Sequence, residues 1–305
     1  MSAATRLTLL DIVKANGCDA SIGLVDEAMR QHPEIERGFA RTIKGLNYPT
    51  LVRTALPSVA FRAANNGPDA SKGAYKRLLI ETFIMTPRWE ADRAVADAYE
   101  DGAAAWMALE GEGMVSAAFA TLASQMYYGT AADAFGFPGL VDNVDASMVV
   151  DAQGTTAATA SSVWAVKWGP KDCAFVYGNN GQVALTELLE AQILGENGKM
   201  MSGYVQEIAA RPGFQMLNIF AAGRIKNVTA DASHTLTDAH LSKLLSLFPV
   251  GRKPDMFLMS RRSQAQLQAS RTSFNATGAP APVPDSAFNL PIFATDAIKD
   301  TETIA

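Results

Sequence analysis

The chain has 305 residues, which is long enough for one large domain or two ordinary ones. Hydrophobic residues make up 48% and charged residues 19%, a balance that supports a sizeable core and excludes wholesale disorder. The formal net charge is -5 and no run of Lys or Arg occurs. This argues against nucleic acid as a tightly bound ligand, although not against a surface that merely faces nucleic acid.

The cysteines and the apolar runs of the sequence indicate the cellular compartment in which the protein is expected. Cys18 and Cys173 lie far apart and form no CxxC motif, so we expect two thiols in a reducing compartment rather than a disulfide or a metal pair. The N-terminal apolar run contains a charge and precedes no cleavage-site pattern, which is unlike a signal peptide. No 18 apolar residues run together, so no membrane span is predicted. We therefore expect a cytoplasmic protein without membrane contact.

The first segment in chain order predicts an arm. Residues 5–40 have the periodicity of short amphipathic helices, interrupted at Gly17, at Gly23 and at the His32-Pro33 pair. Helices this short are not stable alone, so they need a surface on which to pack.

A long hairpin follows the arm. Two strand-like runs, Leu51–Arg62 and Tyr75–Met85, flank the polar segment AANNGPDASKG. Pro57 predicts that the first run is an edge strand, because proline cannot donate a ladder hydrogen bond. A typical hairpin loop has roughly 2–5 residues. The longer arms and loop, with little apolar material at the tip, indicate a partner outside this chain.

Helical periodicity then predicts a long helix from about Trp89 to Tyr128. A kink is expected near Gly111 and Gly113. Gly129 stands where a left-handed helix cap belongs.

Strand signals dominate from Val141 to Thr229, in SSVWAVKWG, CAFVYG and FQMLNIFAAGRIKNV. A helix over TLTDAHLSKLLSLFP begins with a capping-box pair, Thr235 with Asp238. Ser260 is the expected N-cap of a further helix in SRRSQAQLQASR. PDMFLM and LPIFATDAI predict the last two strands.

No catalytic, cofactor-binding or metal-binding residues are predicted. The chain has three histidines, His32, His234 and His240; the last two are six residues apart and so do not share a helix face. The sequence contains no G-x-S-x-G elbow, no phosphate-binding loop and no dinucleotide fingerprint.

Three clusters of charged residues are candidates for a functional site. The Asp97–Glu100–Asp101 cluster is interpreted as a solvated helix face rather than an acid–base pair. The Asp142–Asp145 pair lies in a loop, either as ordinary loop carboxylates or as a cation site. Arg261-Arg262 either meets a partner's carboxylates or is solvated. An arm and an extended hairpin without an active-site signature favour a structural or assembly protein.

Several stretches in this order resemble a known family. YYGTAADAFGFPGLVDNV ends the long helix, and FPVGRKPDMFLMSRRSQAQLQASR and LPIFATDAI follow later. With the arm and hairpin, they resemble the major capsid proteins of tailed bacteriophages, which have the Hong Kong 97-type shell fold. Each motif is weak alone, whereas their order and spacing are more specific.

The resemblance implies an α+β fold of four parts: an N-terminal arm at 1–46, an extension-loop hairpin at 47–86, a peripheral domain with a spine helix at 87–230, and an axial-type domain with a C-terminal strand at 231–305. It implies that the hairpin lies across a neighbouring subunit. In the founding architecture the long peripheral strands follow the axial domain, whereas here strand-rich Ser161–Thr229 precedes it. We therefore predict a permuted element order, with that segment in the peripheral sheet.

The resemblance also implies function and partners. The expected function is a coat protein without enzymatic turnover, which assembles into an icosahedral shell around packaged phage DNA. The expected partners are other copies in hexamers and pentamers, scaffolding, portal and decoration proteins, and double-stranded DNA in weak contact. The expected location is the virion, after assembly in the bacterial host cytoplasm. Lys72 and Lys76 lie near the hairpin tip, where some relatives form a covalent cross-link, but the full motif is not matched.

Two alternatives remain at this point. One is the shell protein of a cellular nanocompartment with the same fold. The other is an oligomeric α/β enzyme whose hairpin swaps between subunits, which would need a pocket with titratable groups within mutual reach.

Overall fold

The structure is a computed structural model that describes residues 30–195, 198–231, 233–275 and 279–304. Its helices are α1 Pro33–Arg37, α2 Arg93–Ala96, α3 Ala103–Tyr128, α4 Leu140–Asn143, α5 Asp238–Ser246 and α6 Arg261–Ser273. Its strands are β1 Ala40–Thr42, β2 Asn47–Ala55, β3 Ala74–Glu81, β4 Arg88–Asp92, β5 Val149–Asp151, β6 Ser161–Val166, β7 Cys173–Tyr177, β8 Ala184–Leu185, β9 Leu189–Leu194, β10 Met200–Ala209, β11 Pro212–Met216, β12 Ala222–Val228, β13 Met256–Met259, β14 Ser286–Ala287 and β15 Leu290–Ala294. Over these ranges, no helix is long and apolar enough to cross a bilayer.

A six-stranded mixed sheet forms the largest layer, in the order β14-β15-β13-β6-β12-β5. Strand β6 is buried along its whole length, and its alternate side chains enter two different cores. Val163 and Ala165 pack with residues of α5 and α6 on one face. Trp164 and Val166 pack with the C-terminal turns of α3 on the other. The sheet is therefore covered by helices on both faces.

A second sheet lies beside the N-terminal half of α3. Strand β10 pairs antiparallel with β4 on one side and with β9 and β8 on the other. Trp89 on β4 packs against Gly111 of α3, where a Cβ would lie 3.0 Å from the indole, and its ring nitrogen donates to the Met107 carbonyl at 3.1 Å. The glycine thus lets helix and sheet approach closely.

A third sheet attaches the first described segment to the body. Strand β1 pairs parallel with β7, and β7 pairs antiparallel with β11. Phe175 of β7 and Phe214 of β11 meet edge to face, 5.7 Å between centroids.

The strand-rich segment Ser161–Thr229 is divided among these three sheets. Strands β6 and β12 pair in the six-stranded sheet that also contains β13, whereas β10 lies beside α3. The prediction that the whole segment lies in the peripheral sheet was therefore wrong. The predicted boundary at 230 and 231 also divides strands of a single sheet. All six residues of β6 are buried, two of them serines, and such a strand does not show in its own sequence which sheet it joins.

The long helix is shorter than predicted at its start. Residues 88–92 form β4 because Trp89 and Ala91 alternate into a core, and the short helix α2 follows. Helix α3 then runs as one continuous helix from Ala103 to Tyr128. Gly129 is the C-cap, as expected, and its φ of +52° is positive, but its ψ of −128° lies outside the αL region of the expected cap.

Two helix starts were predicted with different success. Ser260 caps α6, its hydroxyl accepting from the Ser263 amide at 3.2 Å, as expected. The capping box of Thr235 with Asp238 was wrong, because Thr237 is the N-cap of α5. The Thr237 hydroxyl lies 3.1 Å from His240 Nδ1 and makes no capping hydrogen bond. Of the arm helices predicted over 5–40, α1 is described, and the part before residue 30 lies outside the described residues.

Candidate assembly surfaces

The β2–β3 hairpin projects with few contacts to its own chain. At its base, Thr82 donates from its amide and its hydroxyl to the Leu46 carbonyl, both at 2.8 Å, and the Tyr48 hydroxyl donates to the Gln215 side chain. Beyond this base, large apolar side chains are exposed: Leu51, Leu56, Val59, Phe61, Tyr75 and Leu79. An isolated two-stranded hairpin is marginally stable in water, so this element needs a further surface.

The hairpin ladder is shorter than the predicted arms. Pairing ends with Ala55 opposite Ala74, after a register irregularity. Pro57 therefore follows the strand instead of lying within it, and Val59 and Phe61, 94% and 108% exposed, belong to the connecting loop.

The loop between β2 and β3 is closed by its own polar groups. Ser58 donates from its amide at 2.8 Å and from its hydroxyl at 3.0 Å to the Ser71 hydroxyl. Arg62 donates to the Asn66 carbonyl, and Asn65 has a left-handed φ of +70°. These bonds shape a tip that still presents apolar side chains to solvent.

A second surface is an apolar groove along α3. It encloses about 330 Å³ between the middle of the helix and the chain around residues 177–212. Its lining includes Val115, Phe119, Val183, Ile208 and Pro212. Val183 is 59% exposed and Phe119 47%, and a neighbouring cavity of about 360 Å³ shares Val115 and Ile208. Apolar surface of this kind marks interaction sites on soluble proteins.

The histidines do not form a metal centre. His234 Nδ1 lies 3.0 Å from the Ala152 carbonyl, and His240 Nδ1 lies 3.1 Å from the Thr237 hydroxyl. His32 is the N-cap residue of α1. Within the described residues, no group of three or more His, Cys, Asp or Glu could hold a metal ion. Cys173 is buried, which raises the pKa of its thiol, and Cys18 lies outside the described residues.

The carboxylates considered as candidate sites accept hydrogen bonds from groups of their own chain. Asp142 accepts from the amides of Thr130 and Gly139 at 2.9 and 3.0 Å, fastening the turn after α3. Asp145 accepts from the Ser147 amide and hydroxyl, and these hydrogen bonds lower the pKa of its carboxyl. Asp97 accepts from the Tyr204 hydroxyl and pairs with Arg93. Each of these three carboxylates is a hydrogen-bond acceptor for groups of its own chain.

The paired arginines face their own chain. Arg262 donates to the carbonyls of Asp300 and Thr159 at 3.0 and 2.7 Å, and Arg261 lies 3.4 Å from the Gln264 side-chain oxygen. Arg262 thus binds the C-terminal segment.

The two lysines near the hairpin tip lie in different places. Lys76 lies opposite Val52 in the hairpin ladder, and Lys72 is exposed in the connecting loop.

A buried polar cluster at the C-terminal end of α3 was not predicted. Glu302 pairs with Arg224 at 3.2 Å and accepts from Ser162 at 2.6 Å and from the Tyr128 hydroxyl at 2.7 Å. The Lys299 amide donates to the same Tyr128 hydroxyl at 2.7 Å. We call residues 295–302 the C-terminal clamp, because they tie α3 to the six-stranded sheet. The members of the polar cluster, Tyr128, Ser162, Arg224 and Glu302, are far apart in sequence, so no local pattern could reveal the cluster.

Comparison with known proteins defines the fold. A chain of bacteriophage Epsilon15 superposes with a TM-score of 0.71 at 19% identity, covering 99% of this chain and 98% of that one. A chain of the bacteriophage JBD30 capsid gives a TM-score of 0.55 at 10% identity, covering 94% and 97%. Among curated proteins, no sequence matches this chain. The fold is thus the Hong Kong 97-type fold of shell-forming coat proteins, as the resemblance implied.

The family is given by sequence. The profile of the major capsid protein GP7 matches residues 25–277. The chain belongs to the major capsid protein GP7 family. It is a structural subunit of a phage shell and not an enzyme, which confirms the predicted recognition, fold class and function.

Proposed function

We propose that each copy of this capsid protein places its β2–β3 hairpin across a neighbouring copy, and that this contact closes the shell. The observation that carries the proposal is the hairpin itself, whose apolar side chains are exposed in the single chain. Burying such side chains stabilises association by roughly 25 cal/mol per Å² of apolar surface. Each contact is modest, and many symmetric contacts together give the shell its stability.

The groove along α3 is the receiving surface in this proposal. Its exposed apolar lining, with Phe119 and Val183, matches the chemistry of a tip that carries Val59 and Phe61. Neither surface has a partner within the described part of its own chain large enough to cover it.

The domain organisation is proposed with one revision. The proposal keeps the predicted arm at 1–46 and the predicted hairpin at 47–86. The peripheral domain comprises β4, α3 and the strands β8 to β10. The axial domain comprises the six-stranded sheet with α5 and α6, because β6 and β12 share that sheet with β13.

Further partners belong to the same proposal. Hexamers and pentamers of this chain form the shell, with scaffolding, portal and decoration proteins as partners. Assembly takes place in the bacterial host cytoplasm. The enclosed double-stranded DNA makes weak, salt-sensitive contacts, which agrees with a formal net charge of -5.

The test changes the hairpin tip in the full chain. Deleting Ala64–Lys72, or the substitution Phe61→Ser, should leave a folded subunit, because these residues are exposed. Both changes should sharply reduce the yield of closed shells seen by electron microscopy and sedimentation.

The matched control is Ala63→Ser, which changes an exposed loop position two residues away without removing a large apolar side chain. It should assemble like the wild type. Normal shell yield from both tip variants would contradict the intersubunit role of the hairpin.

A further inference from the structure

A buried carboxyl lies where the first described segment meets the rest of the subunit. The side chain of Glu34, on α1, is fully buried. Its Oε1 accepts from the Thr295 hydroxyl at 3.1 Å, in the C-terminal clamp. The hydroxyl of Tyr127, at the end of α3, is buried beside the same carboxyl. Three parts of the chain therefore converge on one ionisable group.

The groups around Glu34 do not supply a permanent positive charge. His32 Nδ1 lies 3.4 Å from Oε1, and His32 is the carboxyl's only ion-pair partner in the part of the chain that the structure describes. Asp296 faces the site from the C-terminal clamp with a like charge, and Arg30 lies near His32. Arg37, also on α1, stacks on Phe293, 4.3 Å from its ring centre.

Charged Glu34 is therefore costly while α1 is docked. Burial raises the pKa of Glu34 to about 7, with Asp296 adding to the rise and the Thr295 hydrogen bond opposing it. Burial also lowers the pKa of His32, so the ring does not readily become the missing cation.

We propose that Glu34 is a pH-sensitive latch, which holds the N-terminal segment Arg30–Ile43 on the subunit while its carboxyl is neutral and loosens that segment when the carboxyl ionises. Elsewhere the segment attaches through the Gln31 amide on Asp296, through Arg37 on Phe293 and through β1 paired with β7. The latch rests on contacts within one chain and so stands apart from the hairpin proposal.

The direction with pH follows from the two states. When α1 is released, Glu34 titrates near its ordinary pKa of about 4.3. The docked state therefore binds an extra proton between about pH 4.5 and pH 7. The contribution of this proton to the stability of the docked state is complete below this pH window. It declines as pH rises through the window and is lost above it. Protonation of His32 acts in the opposite sense, because burial disfavours its charged form.

The test measures opening of the segment by hydrogen exchange in the full chain. Opening constants for amides 30–43, corrected for intrinsic exchange, are compared between wild type and Glu34→Gln from pH 5 to pH 8. The ratio of the two constants should rise about tenfold per pH unit up to pH 7 and then level off. Because His32 lies 3.4 Å from Glu34, the same comparison is repeated in the His32→Asn background, which removes the contribution of the ring.

Two further variants sharpen the test. Glu36→Gln removes an exposed carboxyl from the same helix and should keep the wild-type profile. His32→Asn keeps Glu34 and should show the rise by itself, so it serves if Glu34→Gln does not fold. A pH-independent ratio, or a flat profile in His32→Asn, would overturn the latch.

Discussion

Gly129 fixes the point at which α3 ends and the chain turns back beneath it. Its φ of +52° lies in the left-handed region that disfavours side chains. A Cβ at this position would also collide with the Asp142 carboxylate and the Gly139 amide, which form the turn after the helix. One missing side chain thus permits both the helix cap and the turn.

Replacing Gly129 by Ala should lower the free energy of unfolding by at least about 2 kcal/mol, since backbone strain and a steric clash combine. The measurement is urea denaturation of the purified, unassembled chain. The control is Gly113→Ala, at an exposed position of the same helix where a Cβ meets nothing within 4 Å. That change should stabilise by about 0.5–1 kcal/mol, because alanine favours helix. Equal effects of the two changes would refute this account of the turn.

The C-terminal clamp is the element that ties the end of α3 to the six-stranded sheet. It contacts the end of α3 through Tyr128 and the six-stranded sheet through Ser162 and Arg224. The Glu302 amide also donates to the Ala160 carbonyl at 2.9 Å. Burial raises the pKa of Tyr128, which stays a hydrogen-bond donor at any physiological pH.

Glu302→Gln should destabilise the subunit by about 3 kcal/mol, because it leaves Arg224 buried without its counter-charge. Denaturation of the full chain measures this loss. Glu190→Gln breaks an exposed pair with Arg93 and should cost less than about 1 kcal/mol. If the two variants lose the same stability, the clamp is not the buried tie described above.

Features that depend on neighbouring residues could be predicted from the sequence, whereas features that depend on distant residues could not. The Ser260 cap, the Gly129 cap and the projecting hairpin each depend on a few neighbouring residues, so the sequence revealed them. The sheet that β6 joins and the burial of Glu34 depend on residues far along the chain. The HPEIER stretch looks like an ordinary helix start. Glu34, the first acidic residue in it, is buried beside Thr295 and Tyr127.

At the scale of the whole molecule, the described residues form well-packed cores and also surfaces that one copy leaves uncovered. Both faces of the six-stranded sheet are buried within the chain, whereas the hairpin tip and the groove along α3 expose apolar side chains. A stable subunit with unsatisfied apolar surfaces is suited to assembly, because closure buries these surfaces without refolding the cores.

The most direct test is a cryo-electron microscopy reconstruction of shells assembled from the full chain, with neighbouring phage assembly genes co-expressed if the purified chain does not assemble alone. We predict closed hollow particles in which each β2–β3 hairpin lies across an adjacent copy, with Val59 and Phe61 against apolar side chains of that copy. Shells in which the hairpin folds back on its own subunit would contradict the account. So would a chain that stays monomeric even with those genes co-expressed.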